Sequence, residues 1–123
     1  IADIDGTGMV GFGDCTFQEW SRAPKDSPDA GREFPAIRAL GGSVMIRGCE
    51  FMENRPQLEI GPRAFRVLFS ENFTIGKLRV IKGKSDAHVL IRDNMATPTD
   101  QQWKKRYKTM PGLRGQRLRE TIR

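Results

Sequence analysis

Apolar residues recur along this chain in four segments that align with one another without gaps. Each segment begins with Val, has Ile or Phe two residues later, and has Cys or Asn three residues after that. This alternation is typical of a β-strand, and the Cys or Asn that follows indicates a corner of the chain. The segments are VGFGDCTF (10–17), VMIRGCEF (44–51), VLFSENFT (67–74) and VLIRDNMA (89–96).

The spacing of these segments indicates a short structural repeat. The steps from Val44 to Val67 and from Val67 to Val89 are 23 and 22 residues. The first step is 34 residues, because the polar insertion SRAPKDSPDAGREF occupies 21–34. A repeat of this length with apolar i, i+2 positions is too short for a pair of helices, and it is typical of one coil of a parallel β-helix.

The sequence therefore predicts an all-β solenoid, a single-stranded parallel β-helix of about three to four coils. We assign residues 1–99 to the coils, with an inserted loop at 18–40, and residues 100–123 to a basic C-terminal cap with a short helix. Additional strands are expected at LEIG (58–61), LRVIKG (78–83) and FPAIRAL (34–40).

Stacked coils place equivalent side chains in rows. Asn72 and Asn94 share a column, so we expect their amides to pass hydrogen bonds from coil to coil. Cys15 and Cys49 occupy the same column in the first two coils, as small buried groups. A disulfide between them is geometrically feasible and remains an open alternative.

The stretch DIDGTGMVGFGDCTF (3–17) also fits part of a calcium loop. A complete loop of that kind needs a bidentate Glu at its twelfth position and an entering helix, whereas Asp14 stands at that position and no helical pattern precedes it. The coil is the better interpretation, because Val10 and Phe12 have three later counterparts each. Asp3 and Asp5 are then expected in a turn.

In each repeat, the residue between the inward Val and the inward Ile or Phe points outward. The column of these outward residues is itself apolar and therefore needs a cover. Segment 100–110 has Trp103 and Tyr107 at i, i+4, so one turn of helix could lay both rings on it. Alternatively, a preceding segment or another subunit covers the column, or Trp103 and Tyr107 are core anchors of a cap. The column consists of Gly11, Met45, Leu68 and Leu90.

The positive charge is concentrated at the C-terminal end. The chain has a formal charge of +6, and residues 102–123 hold eight Lys and Arg against Glu120 alone, a local charge of +7. Such a segment could contact nucleic acid, an acidic glycan or an acidic partner, or dock on its own protein. Nucleic acid is the weakest of these, since no RNA-binding motif accompanies the charge.

The sequence lacks the residues that several other kinds of site require. Two cysteines do not form a disulfide scaffold, no C-x-x-C occurs, and the single His88 leaves a zinc site or a Ser-His-Asp site without partners. We expect His88 to be structural and no metal to be bound by such a set. No apolar run approaches the ~20 residues of a membrane helix, so no membrane span is expected.

These repeats resemble the right-handed parallel β-helix proteins of the pectate-lyase-like superfamily. The resemblance rests on the V-x-[IF]-x-x-[CN] segments and the Asn72 and Asn94 column, and it covers residues 8–97. It implies the C-terminal portion of a polysaccharide lyase or polygalacturonase-type hydrolase, with its main catalytic groups upstream, an extracellular or periplasmic location, and calcium where a cofactor is used. The alternative is a non-enzymatic glycan-binding or structural β-helix of a surface or tailspike-like protein.

The resemblance also implies where a glycan would bind, because long insertions wall the sugar groove in such enzymes. Trp20 is a candidate to stack on a sugar ring, and cations of the loop are candidates to pair with uronate or sulfate groups. A buried Trp20 and ordinary surface cations are the alternatives. No catalytic residue is assigned, and the substrate-binding candidates are Trp20, Arg22, Lys25, Arg32, Arg47 and Arg92.

The chain begins at Ile1 rather than at Met. A stack of coils with a bare end exposes unpaired strand edges, which native solenoids cover. We therefore interpret Ile1 as a cut and expect preceding coils to come from another chain or from a removed segment.

Overall fold

The computed structural model describes residues 1–20, 26–28 and 30–97. Within these ranges the chain forms β-strands and no helix, and therefore no helix that could span a membrane. The strands are β1 (Ala2–Ile4), β2 (Met9–Gly13), β3 (Thr16–Phe17), β4 (Ile37–Arg47), β5 (Glu50–Phe51), β6 (Leu58–Ser70), β7 (Phe73–Ile75), β8 (Val80–Lys82), β9 (His88–Arg92) and β10 (Met95–Thr97).

The described strands form two parallel sheets. The six-stranded sheet is built on the two long strands, β4 and β6, which pair with each other. The short strands β1 and β2 both pair along β4, and β8 and β9 both pair along β6. The four-stranded sheet has the order β10-β7-β5-β3. Each repeat thus contributes a strand to both sheets.

The predicted rows of equivalent residues are confirmed by the strand register. Val10 pairs with Val44, Val44 with Val67, and Val67 with Val89. The next inward row is Phe12, Ile46, Phe69 and Ile91, and the outward row between them is Gly11, Met45, Leu68 and Leu90.

The prediction of a closed parallel β-helix is wrong. The described residues form two parallel sheets and not a closed solenoid, and the short helix was expected in residues 100–123, which lie outside them. The separate strands expected at 34–40 and 58–61 instead run on into the next Val segment, as single strands of 11 and 13 residues. A chain that continues as one strand through these points does not turn the corner that a coil requires.

A glycine pair shapes the middle of β4. The register of β4 on β6 shifts on either side of Gly41 and Gly42, and at each shift β6 has one residue more than β4. The two bulges therefore lie in β6, opposite the glycine pair. Gly42 has a φ of +69°, and a Cβ there would lie 2.5 Å from the carbonyl oxygen of Gly8. A Cβ on Gly41 would lie 2.8 Å from Oδ1 of Asp5. The β1–β2 loop therefore packs directly on this point.

The hydrophobic core lies between the two sheets. Phe17 and Phe51 stack with ring centres 4.9 Å apart, and Phe51 continues the contact to Phe69 at 5.5 Å. Trp20 meets the edge of Phe51 at 6.1 Å. Aromatic pairs at these separations contribute stability beyond the area they bury, so this row joins the two sheets.

The asparagine row is confirmed by its hydrogen bonds. Oδ1 of Asn72 accepts from the Cys49 amide at 2.9 Å, and Oδ1 of Asn94 accepts from the Asn72 amide at 2.9 Å. Their Nδ2 groups donate to the carbonyls of Ile46 at 3.1 Å and Phe69 at 3.0 Å. These amides satisfy backbone groups exactly where the strands of the six-stranded sheet end.

The corner after each strand of the repeat adopts a left-handed conformation. Asp14, Glu71 and Asp93 have φ of 52°, 56° and 56°, and Gly48 has 67° in the same position. A Cβ on Gly48 would lie 2.6 Å from Oδ1 of Asp14. Glycine therefore interrupts the row of carboxylates because a neighbouring carboxylate already fills the space.

Replacing Asn72 with Ala should destabilise the fold by roughly 2–3 kcal/mol, because it leaves a buried backbone donor and acceptor without partners. Urea unfolding measures the free energy. Asn54→Ala, at an exposed position, is the control and should change it by less than about 0.5 kcal/mol. Equal effects of the two substitutions would contradict a structural role for the row.

Replacing Gly42 with Ala should cost about 2 kcal/mol or more, because the residue has a positive φ and its new Cβ meets a backbone oxygen. The matched substitution is Gly13→Ala, also in a strand, where nothing lies within 4 Å of the added Cβ. Thermal unfolding followed by circular dichroism should separate the two. A Gly42 variant as stable as the Gly13 variant would exclude the close approach of the β1–β2 loop.

Candidate functional site

The outer face of the six-stranded sheet carries an apolar surface. Met45 is 39% exposed, Leu90 49% and Met9 69%, while Leu68 between them is half-buried. These four side chains, which we call the apolar floor, lie in an open groove of about 440 Å³. The outward column predicted from the sequence is therefore present, and Met9, from the neighbouring row of Ser43, Arg66 and His88, adds to the apolar surface.

Cationic side chains border the apolar floor on both sides. Arg66 pairs in register with His88 on one side of it. On the other side, Arg47 and Arg92 both pair with Ser70, so they flank β6 in one row. The two borders lie four residues apart along the strands, which is roughly 13 Å.

The strand segments that form this face contain no acidic residue. They are Met9–Gly13, 43–47, 66–70 and His88–Arg92. The corner that follows these segments carries a carboxylate in three repeats, at Asp14, Glu71 and Asp93. The face is therefore apolar in the middle and cationic at its borders.

An exposed aromatic residue lies at the first border. Phe65 is 60% exposed, the guanidinium of Arg66 lies 5.5 Å from its ring centre, and the His88 ring meets it edge-on at 6.1 Å. Nε of Arg66 also donates to Oγ of Ser43 at 3.3 Å. Within the described residues Arg66 forms no ion pair with a carboxylate, so its charge is available to a ligand.

At the second border the arginines have corner carboxylates as partners. Nε of Arg47 donates to Oε2 of Glu71 at 2.6 Å, and Arg92 lies 3.8 Å from Asp93. The hydrogen bond from Arg47, then its charge and that of Arg92, lower the pKa of Glu71 below its ordinary value. Both pairs are more than half exposed, and such pairs contribute little to stability. A ligand anion can therefore replace the carboxylates at small cost.

The six residues proposed from the sequence do not form one site. Arg47 and Arg92 share the second border, whereas Trp20 is 1% exposed inside the core, where no sugar can reach its ring. Arg32 is exposed, with its guanidinium 5.5 Å from the Phe34 ring, and it does not line the groove. Arg22 and Lys25, like Trp103 and Tyr107, lie outside the described residues.

Sequence reasoning missed Phe65 and Arg66. A signal for Arg66 was present, because the residue before each Val of the repeat forms a further outward column that also holds His88. No such signal marks Phe65, since it and Arg66 are consecutive and both exposed, which strict alternation does not allow.

The carboxylates of the calcium-loop alternative are bound by arginines. Asp3 accepts from Arg38 at 2.5 Å, which lowers the pKa of Asp3, and Asp5 accepts from Arg63 at 2.6 Å. Across residues 1–20, 26–28 and 30–97, no three His, Cys, Asp or Glu side chains gather in a group that could hold a metal ion. No calcium site is therefore assigned to this loop.

Comparison with known proteins identifies no relative: no family model, no curated protein and no solved structure matches the chain. The resemblance to the pectate-lyase-like superfamily stays a prediction, and function has to be argued from the outer face itself.

Replacing Arg47 with Gln should raise the pKa of Glu71 toward its ordinary value of 4.5, because the hydrogen bond that stabilises the carboxylate is lost. Arg92→Gln should raise it less, and Arg38→Gln should leave it unchanged. A carbon-detected NMR titration of the Glu71 carboxyl measures all three. The pKa of Glu71 is lower in the folded chain than in the unfolded chain. The ion pair therefore stabilises the folded chain above pH 4.5, and this stabilisation is lost as the pH falls through the folded pKa. An unchanged Glu71 in Arg47→Gln would exclude the pair.

Proposed function

We propose that this chain binds an acidic polysaccharide on the outer face of its six-stranded sheet, and that it acts as a binding module rather than by catalysis. The observation that carries the proposal is the apolar floor between two cationic borders, on strand segments without an acidic residue. A ligand suited to this face has an extended body with C–H surfaces and anionic groups along its sides. A uronate-rich or sulfated glycan has both.

The apolar part of the face suits a sugar chain. Met45, Leu68 and Leu90 present a continuous row on which C–H surfaces can pack. Phe65 adds an exposed ring beside Arg66 and His88 at the first border, and an amphipathic sugar ring can stack on such a surface. Because Arg66 already covers one part of this ring, a uronate stacked there would lie beside a cation.

The cationic borders suit carboxylate or sulfate groups. Arginine presents a planar fork of donors that matches these anions. Arg66 has no carboxylate partner among the described residues, and Arg47 and Arg92 have exposed partners that exchange readily. With the borders roughly 13 Å apart, one extended chain can contact both.

The corner carboxylates support binding more than hydrolysis. Glycoside hydrolysis requires one carboxyl group that keeps its proton until it donates it to the leaving group. Glu71, the carboxylate held by Arg47 at the border, has a lowered pKa and therefore stays ionised. Its arrangement suits a group that balances arginine charge.

Binding of oligogalacturonate to the full chain, measured by isothermal titration calorimetry, tests the proposal. Arg66→Gln, Phe65→Ala and the double variant Arg47→Gln/Arg92→Gln should each weaken binding about tenfold, from the loss of one or two charge-assisted contacts or a stacked ring. Arg63→Gln removes a comparable exposed cation that belongs to neither border and is the matched control.

The control variant is essential because residues 102–123, with their +7 charge, attract polyanions by themselves. Binding that survives all the substitutions at the two borders, or that falls equally in Arg63→Gln, would overturn the assignment to this face. Equal affinity for neutral dextran would overturn the acidic specificity. Duplex DNA that bound as tightly, and lost affinity in the same variants, would contradict the assignment of a polysaccharide as the ligand.

A further inference from the structure

We propose that Cys15 and Cys49 form a reversible disulfide that cross-links the first repeat to the second. The two residues occupy corresponding positions of neighbouring repeats. Gly13 pairs with Arg47 before the cysteines, and Thr16 pairs with Glu50 after them. Two residues lie between these pairs in each repeat, so Cys15 lies opposite Cys49.

The backbone holds the two cysteines side by side. The amide of Glu50 donates to the carbonyl of Cys15 at 2.9 Å, and the amide of Asp14 donates to that of Arg47 at 3.2 Å. Neighbouring parallel strands lie about 4.8 Å apart, and disulfides form across Cα separations of about 4.4–6.8 Å. The cross-link therefore needs no rearrangement of the strands.

The thiols differ in a way that orders the reaction. Sγ of Cys49 is fully buried and donates to the carbonyl of Phe12, at 3.6 Å, so it points toward the first repeat. Burial raises the pKa of the Cys49 thiol. Cys15 is half-buried and its Sγ lies 3.3 Å from the Gly13 carbonyl at the surface, so a dissolved oxidant meets Cys15 first.

The reaction is a thiol–disulfide exchange with a small-molecule disulfide such as oxidised glutathione. The thiolate of Cys15 attacks one sulfur of the oxidant, forms a mixed disulfide and releases one glutathione thiolate. The Cys49 thiol then loses its proton to water, attacks Sγ of Cys15 and expels the second glutathione thiolate. The protein loses two electrons and two protons, and the oxidant is reduced to two thiols.

The cross-link has a structural consequence at the edge of both sheets. Among the described strands, β2 pairs with β4 alone and β3 with β5 alone. Val10, which belongs to the inward row, is 36% exposed at this edge. A bond between residues 15 and 49 ties this edge repeat to the second repeat, at the corner between β4 and β5. Oxidation therefore acts on the stability of the edge.

Treatment of the full chain with oxidised glutathione, followed by intact mass, tests the proposal. Both free thiols should disappear, the mass should fall by two hydrogen atoms, and a peptide that joins residues 15 and 49 should appear. The midpoint temperature of thermal unfolding should rise by roughly 5–15 °C and should fall back to its original value when dithiothreitol reduces the bond. Cys49→Ser should stop at one glutathione on Cys15, and Cys15→Ser should react slowly.

A stable glutathione adduct on the unsubstituted chain would overturn the proposal, because it would mean that Cys49 does not reach Cys15. So would disulfide-linked dimers, or two thiols still free when excess oxidant has fully modified the unfolded chain.

Discussion

The structure depends on the in-register pairing of β4 with β6. Every other strand of the six-stranded sheet pairs with one of these two. Side chains alternate between faces along a strand, so a slip of one residue would turn Val44 and Ile46 to the outside and Met45 into the core. The same register therefore determines both the hydrophobic core and the composition of the outer face, and neither can change without the other.

The rows of this fold were predictable from the sequence because each repeat carries the same inward residues, and stacking of like side chains follows from equal spacing. The path of the chain between the rows was not. Gly61 and Pro62 after LEI indicate a turn, yet β6 continues through them, with Pro62 exposed. Periodicity reports which side chains point inward, and it says nothing about whether the chain turns a corner between two such stretches. In β4 the β1–β2 loop packs on Gly41 and Gly42, a contact between distant residues, and the strand runs on opposite the bulges of β6.

The candidate site was predictable only in part, for a similar reason. Arg47 and Arg92 belong to the repeat, so their shared row followed from the alignment. Trp20 has no counterpart in the other repeats, and an aromatic residue in an insertion can either stack on a sugar or pack in the core. In the structure it packs against Phe51 in the core. Phe65 and Arg66 are exposed in succession, which requires a local irregularity that no alternating pattern contains.

The corner row explains how Arg47 and Arg92 lie side by side in one row of a stable parallel sheet. Arg47 and Arg92 lie two strands apart, about 9.6 Å, and Glu71 sits at the corner of the strand between them. Its carboxylate offsets their mutual repulsion while the face is free, and the left-handed corner aims it at Arg47. Because the pair is exposed, a polyanion that takes the place of Glu71 forms contacts of the same kind and loses little in exchange. The affinity of the proposed ligand would then come from the apolar floor and from the arginines of both borders, because Glu71 without its arginines would repel an anion.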